Sequence, residues 1–496
     1  MAVNEAVRLR LGYISAAGVV TPSNGNLLPI ENPATGEVIA EVSEATADEL
    51  DAIITQARAV FESRWRDTSP AARGKLLGAW AAAIVARRDE LADLEVADVG
   101  HLRREALGDL DSCVESLDYF AGMADKVEGR SYQKLPGRLA YGVREPFGVV
   151  AGINPYNANA GLVAKKVAPA LVGGNCIVLK APEVAPLLTY RLVELALEVG
   201  FPPGVVNVVT GRGDVVGHLI TEHPDVGMIA FTGGPGTGRA VISQSARNIV
   251  PVFLELGGKS PVILLPDSDL DVAIPSVLHS NFVKSGQSCV AGSRILVHAS
   301  MYDDVCAELA ARARAVRVGL PTDPASQMGT LISRAHRSRV DELVRRAVVS
   351  GAKCIAGGGP AEHGELAAGA FYQPTVLIDV ADDNPAATTE FFGPVASVMS
   401  YEDTDDALAR ANATRFGLSA QVWGNDAGAI QFLAGNLVAG TVWINTYRAS
   451  DATVPFGGMN ESGFGLENGF AAVDMFTRHK AVVWDLTTRR NLPYGD

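Results

Sequence analysis

Between residues 47 and 127 apolar side chains return at three- and four-residue intervals on an alanine-rich background, as at Leu76, Leu77, Trp80, Ile84 and Val85. That period predicts a run of helices, each with one buried face. From Gly148 the pattern changes. Short β-branched runs at 149–153, 176–179, 205–209 and 228–231 are separated by helical stretches such as 187–199. Continuous apolar strands alternating with helices predict a parallel sheet covered on both faces. A second set of strands follows Glu255, at 262–265, 294–297 and 440–444. The expected fold class is therefore α/β, with two doubly wound parallel-sheet domains that meet near residue 257.

Two segments fit neither domain. Residues 138–144 alternate between Pro136 and Pro146, and a second strand pattern, 480–484, lies within 479–490. Exposed edge strands of this kind are an aggregation liability unless something pairs with them. Near the start, Arg8 and Arg10 precede the apolar run 11–20, which faintly resembles a signal peptide, but its Gly, Ser and Tyr suit an early edge strand better. No apolar run reaches the roughly 18 residues that a membrane-spanning helix needs, and the protein is read as soluble, with no membrane partner. There is no internal repeat or low-complexity tract.

Composition narrows the partners. A chain of 496 residues exceeds one ordinary core, so more than one domain is expected. A formal net charge of −14 would repel nucleic acid and anionic membrane surfaces alike. The five cysteines at 113, 176, 289, 306 and 354 form no C-x-x-C pair, which suits a reducing, cytoplasmic compartment. The histidines show no ligand spacing, and no catalytic metal is expected.

Cys289, in Gly286-Gln287-Ser288-Cys289, is a candidate nucleophile, and Glu255, in Glu255-Leu256-Gly257-Gly258-Lys259, is a candidate base. Free cysteines more often pack as small hydrophobes. Here, however, an apolar strand ends on a lone carboxylate and two glycines, which aims one acid at a cleft that backbone approaches closely. The run Phe231-Thr232-Gly233-Gly234-Pro235-Gly236-Thr237-Gly238 is a glycine-rich turn between a strand and a helix, where backbone donors and the helix N-terminus can hold a pyrophosphate. Its spacing differs from G-x-G-x-x-G. Lys180 and Glu183 follow the preceding strand, and a carboxylate there suits ribose hydroxyls. Like-charge repulsion of a 2′-phosphate favours NAD, while Lys180 partly offsets it and leaves NADP open.

Seven motifs appear in the order in which the aldehyde dehydrogenase superfamily carries them: Pro155-Tyr156-Asn157, Lys180-Ala181-Pro182-Glu183, Phe231-Thr232-Gly233-Gly234 with Gly238, Glu255-Leu256-Gly257-Gly258, Gly286-Gln287-Ser288-Cys289, Glu390-Phe391-Phe392-Gly393-Pro394 and Pro455-Phe456-Gly457-Gly458. From about Asn32 to the last thirty or so residues the chain resembles that family. The resemblance implies oxidation of an aldehyde to a carboxylic acid by Cys289, with Glu255 as base and Asn157 as oxyanion donor. It also implies a proton-transfer pair, Lys166 and Glu467. Cofactor contacts are implied for Ile153, Pro155, Tyr156, Lys180, Glu183, Phe231, Thr232, Gly233, Gly234, Gly238, Leu256, Gly257, Glu390 and Phe392. A substrate pocket is implied at Ala158, Lys165, Asn445, Arg448 and Phe456.

The same resemblance implies a Rossmann-like cofactor domain over 1–128 and 147–257 and a catalytic domain over 258–461. A bridging β element over 129–146 and 470–496 would join subunits into a homodimer or homotetramer. The chain departs from the family where a serine is common at Gly234, a tryptophan at Tyr156, a bulky aromatic at Ala158 and a tryptophan at Lys165. The last two, with Arg448, suggest a wide, cationic mouth suited to an anionic aldehyde. The alternatives are a CoA-acylating semialdehyde dehydrogenase, which usually lacks the base that Glu255 supplies, and a catalytically idle structural protein on the same fold.

Overall fold

The computed structural model describes residues 9–20, 26–133, 135–449 and 451–487. The helical run predicted for 47–127 forms Ala47–Val60, Pro70–Ala86, Arg88–Val99 and Arg103–Met123. Local chemistry sets their starts. Thr46 accepts from the Glu49 N–H while the Glu49 carboxylate accepts from the Thr46 N–H, so two otherwise orphaned donors are satisfied. The longest of these helices begins similarly, with Glu105 Oε2 accepting from the Leu102 N–H at 3.0 Å. Trp65 and Trp80 tie this layer to the rest of the domain, their indole N–H groups donating at 2.9 Å each to the carbonyl of Asn175, just before the strand Cys176–Lys180, and to that of Leu192 in the helix Leu187–Glu198.

The first sheet runs Gly463–Phe464, Val252–Glu255, Val226–Thr232, Val149–Ile153, Cys176–Lys180, Val206–Val209, Tyr13–Ser15, Gly18–Val20 in spatial order. Its five inner strands are parallel and the outer ones antiparallel. The parallel part starts at Val149–Ile153, builds outward through Cys176–Lys180 and Val206–Val209, then returns to build the other side, so the winding reverses between Val149–Ile153 and Val226–Thr232. The crevice at the carboxyl ends of those two strands is where such sheets take ligands. The apolar run 11–20 forms edge strands, as expected.

The second sheet runs Lys353–Ala356, Thr375–Ile378, Val395–Tyr401, Arg294–His298, Pro261–Leu264, Ser419–Trp423, Thr441–Ile444, parallel except for the first pair. With helices against both sheets, the α/β class is as read from the sequence. A third sheet pairs Thr477–Asp485 antiparallel with Arg138–Pro146 over nine residues, with Arg130–Tyr132 alongside. Its strands carry exposed apolar side chains, among them Tyr132, Leu139, Val483 and Trp484. Residues 488–496 of the expected bridging element lie outside the described residues.

Candidate active site

Glu255 ends the strand Val252–Glu255, and two glycines carry the chain towards Pro261, where the second sheet begins. A Cβ on Gly257 would run into the Glu390 carboxylate, and one on Gly258 into the Cys289 carbonyl. Only glycine permits this approach, and it brings Glu255, Glu390 and Cys289 to one crossing. Glu390 accepts from the Gly258 N–H at 2.9 Å, and burial pushes its carboxyl above the ordinary range.

Cys289 follows the turn Val283–Gly286, in which Lys284 and Ser285 both have φ of 55°. Left-handed backbone costs a residue with a side chain about 1–2 kcal/mol, so two in succession must be held by their surroundings. Lys284 supplies the hold. Its N–H donates to Glu105 Oε1 at 2.7 Å, and its ammonium donates to the Asp109 carboxylate at 2.6 and 2.5 Å and to the Asn157 carbonyl at 3.0 Å.

Asn157, Ala158, Lys165, Thr232, Glu255, Leu256, Cys289, Arg448, Phe456 and Glu467 line one cavity of about 100 Å³. These were all expected site residues. Leu162, Lys284, Ser288, Val290, Trp443 and Asn468 line it too and were not foreseen. Among these, Lys284 had a signal, a lysine two places before a Gly-Gln-Ser-Cys run, but its partner Asp109 is far off in sequence. A larger cavity of about 620 Å³ shares Lys284 and Arg448 with the first and runs along Arg103–Met123 past Asp109, Ser112 and Glu115.

Electrostatics differ sharply within the cavity. Glu255 is buried with neither carboxyl oxygen hydrogen-bonded, and burial, then the charge on Glu467, pushes its pKa well above the usual range. Burial also pushes Glu467 up, but Lys165 at 3.3 Å and Lys166 at 3.5 Å prevail and hold it below its ordinary value. Lys166, fully buried, is shifted downward by desolvation and donates to Thr232 Oγ1. Burial, then Glu390 and Glu255, push the half-buried Cys289 thiol up to about 12.

One expected pocket residue, Asn445, lies elsewhere, and Lys165 lines the cavity as expected but is paired. Asn445 is absent from the cavity lining; its amide accepts from the Gly424 N–H at 2.9 Å and donates to the Gly424 carbonyl at 2.8 Å, beside a separate surface depression. An amide carries both donor and acceptor, so it matches a backbone peptide and closes the strand end there. Lys165 is not a free cation at the mouth. It pairs with Glu467 and stands 5.3 Å from the centre of the Phe456 ring. Arg448, at φ 54°, forms no ion pair among the described residues and lines both cavities.

At the crevice of the first sheet, Ile153, Pro155, Phe231, Gly233 and Gly234 stand on the ends of the two central strands or just beyond them. The Gly233 N–H donates to the Glu255 carbonyl at 3.0 Å. Gly234 precedes the helix Pro235–Ser245, whose N-terminus has no side-chain cap, and a Cβ on Gly234 would meet nothing within 4 Å. That opening, with free N–H donors, fits a pyrophosphate. Gly238 lies against Leu256. Glu183, half-exposed, is 3.7 Å from Lys180 and accepts from the Gly213 N–H at 2.7 Å, which leaves carboxylate lone pairs for a ribose. Tyr156, expected near the pyrophosphate, meets Phe392 edge-on at 6.2 Å and donates to Gln287 of the nucleophile turn at 3.2 Å.

Glu95, His101 and Asp109 bring three ligand atoms within 4.8 Å of one another. Asp109 is already engaged by the Lys284 ammonium, and burial, then Lys284, drive His101 down to about 3. The group therefore reads as a buried ion-pair network whose cation is a lysine.

Comparison with known proteins gives one family. The aldehyde dehydrogenase family description matches residues 20–482. The (Z)-2-((N-methylformamido)methylene)-5-hydroxybutyrolactone dehydrogenase of Acinetobacter baylyi is 40% identical over 454 residues, 91% of this chain and 92% of that protein. Betaine aldehyde dehydrogenase from Staphylococcus aureus, solved in complex with NAD+, superposes with a TM-score of 0.96 at 35% identity, covering 98% of this chain and 97% of that one. PnpE from Pseudomonas sp. WBC-3 gives a TM-score of 0.95 at 36% identity over 98% and 100% of the two chains.

Proposed function

The chain belongs to the aldehyde dehydrogenase family, and from that membership we propose how this site works and what it accepts. The enzyme oxidises an aldehyde to a carboxylic acid. The observation that carries the assignment of roles is the single cavity lined by Cys289, Glu255 and Asn157. Cys289 Sγ bonds to the aldehyde carbon, and its proton passes through water to Glu255. The new alkoxide is stabilised by the Asn157 amide and the Cys289 N–H, where each such donor commonly contributes about 10²–10³ in rate. Bound NAD+ supplies the hydride acceptor that converts the thiohemiacetal into a thioester. Glu255 then takes a proton from the water that hydrolyses the thioester, releasing the acid and the free thiol. Glu390, beside the strand crossing, would orient the nicotinamide ribose, Phe392 would pack on the nicotinamide, and Lys166 with Glu467 would carry protons away.

NAD is the preferred cofactor in this reading, because Glu183 opposes a 2′-phosphate; the NAD+ complex of the Staphylococcus relative supports it. Residues 1–128 with 147–257 form the cofactor domain, 258–461 the catalytic domain, and 129–146 with 470–496 a bridge between subunits of a homodimer or homotetramer. Five free thiols favour a cytoplasmic setting.

The substrate is an aldehyde with an anion at its far end. Arg448 supports this reading: it lines the cavity, has no carboxylate partner among the described residues, and offers a planar fork suited to a carboxylate. Ala158 leaves the approach open. The test compares kcat/KM for a semialdehyde carrying a terminal carboxylate with that for a neutral aldehyde of equal length, in native enzyme and Arg448→Ala. A selective loss of about tenfold or more on the anionic substrate is expected for a desolvated charged contact. Equal losses on both substrates, or native preference for the neutral one, would remove the anionic assignment. Free acid as product in the absence of CoA separates hydrolysis from thiol acylation.

A further inference from the structure

Resting on the reading of Asn157 as oxyanion donor, we propose that Lys284 is a positioning residue that fixes the Asn157 peptide and the nucleophile turn to the helix Arg103–Met123. All three ammonium hydrogens are used: two face the Asp109 carboxylate and one donates to the Asn157 carbonyl at 3.0 Å. Lys284 and Asp109 are both buried, which limits how far water can screen the pair. The Lys284 N–H is also committed to the same helix, through Glu105. One residue thus ties three elements together at the cavity: the helix beside the entrance, the loop bearing the oxyanion amide and the left-handed turn ahead of Cys289.

The arrangement has a direct consequence for Asn157. A carboxamide that must meet a developing alkoxide works only if its backbone is already placed, since donor strength falls steeply with misalignment. Here the Asn157 carbonyl is gripped by a charged donor, which is stronger than a neutral one. Asp109 supplies the countercharge beside that buried donor. Around the pair stand Glu95, which burial and then Asp109 shift upward, His101, which burial and then Lys284 shift downward, and Arg448, a second cation that acts on Asp109.

Deleting the ammonium alone would strand the Asp109 charge and destabilise the fold. The test is therefore the charge-neutral double variant Lys284→Met with Asp109→Leu, compared with Lys284→Met, Asn157→Ala and the native enzyme. Thermal stability, NAD+ affinity, KM and kcat are measured for each. The double variant is expected to regain most of the stability that Lys284→Met loses while its kcat stays roughly 10–100-fold down, with KM and NAD+ affinity near native, as for loss of a transition-state interaction. Combining Asn157→Ala with the double variant should add little further loss, because both act on one donor. Recovery of kcat together with stability would overturn the positioning role and leave Lys284 structural. Fully additive losses would do the same. Full activity of Asn157→Ala would instead overturn the reading on which the inference rests.

Discussion

At the scale of single residues, burial raises both the Cys289 thiol and the Glu255 carboxyl above their ordinary ranges. Burial and two nearby carboxyls keep Cys289 high, up to about 12, so in the resting enzyme little thiolate exists at neutral pH. Alkylation by iodoacetamide without substrate should therefore keep rising through pH 9 and 10; a plateau at or below pH 8 would show a thiolate stabilised by something else. Glu255 has the opposite requirement, because only its ionised form can accept a proton from water. Its pKa is raised, so deacylation should fall on acidification well above the ordinary carboxyl range. That Cys289, Glu255 and Asn157 would share one cavity was legible, because motif order names residues independently of geometry. The state of Lys165 was not, since its partner Glu467 lies hundreds of positions away and only folding brings them to 3.3 Å.

Among the elements, the central strands of the first sheet could be read directly, because they are buried on both faces and so carry unbroken β-branched runs. Gly463–Phe464 could not: two residues offer no period, and the pairing with Val252–Glu255 depends on the return of the chain after the second sheet. The strained turn Val283–Gly286 was equally hidden, since Lys284 and Ser285 carry no sign of left-handed backbone in their chemistry. The crossing Glu255-Leu256-Gly257-Gly258, by contrast, announced itself through its glycines. Gly258→Ala should lower kcat at least tenfold and cost about 1–3 kcal/mol of stability, as overpacking does. The added Cβ must displace the Cys289 carbonyl, and kinetics with a denaturation curve check both effects. Native kcat in this variant would mean that the crossing is looser than its geometry.

For the whole molecule, the two sheets meet where the first ends and the second begins, and the reactive groups are gathered at that seam. The third sheet contributes no residue to the cavity lined by Cys289, yet it exposes Val483 and Trp484 on a strand of nine residues. Edge strands with apolar faces remain soluble when another chain covers them. If this strand joins subunits, as proposed, Val483→Lys with Trp484→Lys should shift sedimentation toward a smaller species while leaving the fold intact; an unchanged sedimentation coefficient would overturn the proposed bridge. A formal net charge of −14 accords with an enzyme of small molecules.

The central claim is that Cys289 carries an acyl group that Glu255 releases, and rapid-mixing of the Glu255→Gln variant with NAD+ and aldehyde tests it most directly. A burst of reduced cofactor near one equivalent per site should precede a slow phase, and intact-mass analysis during that phase should find the acyl group on Cys289. Steady turnover at the native rate, or the absence of both burst and adduct, would contradict it.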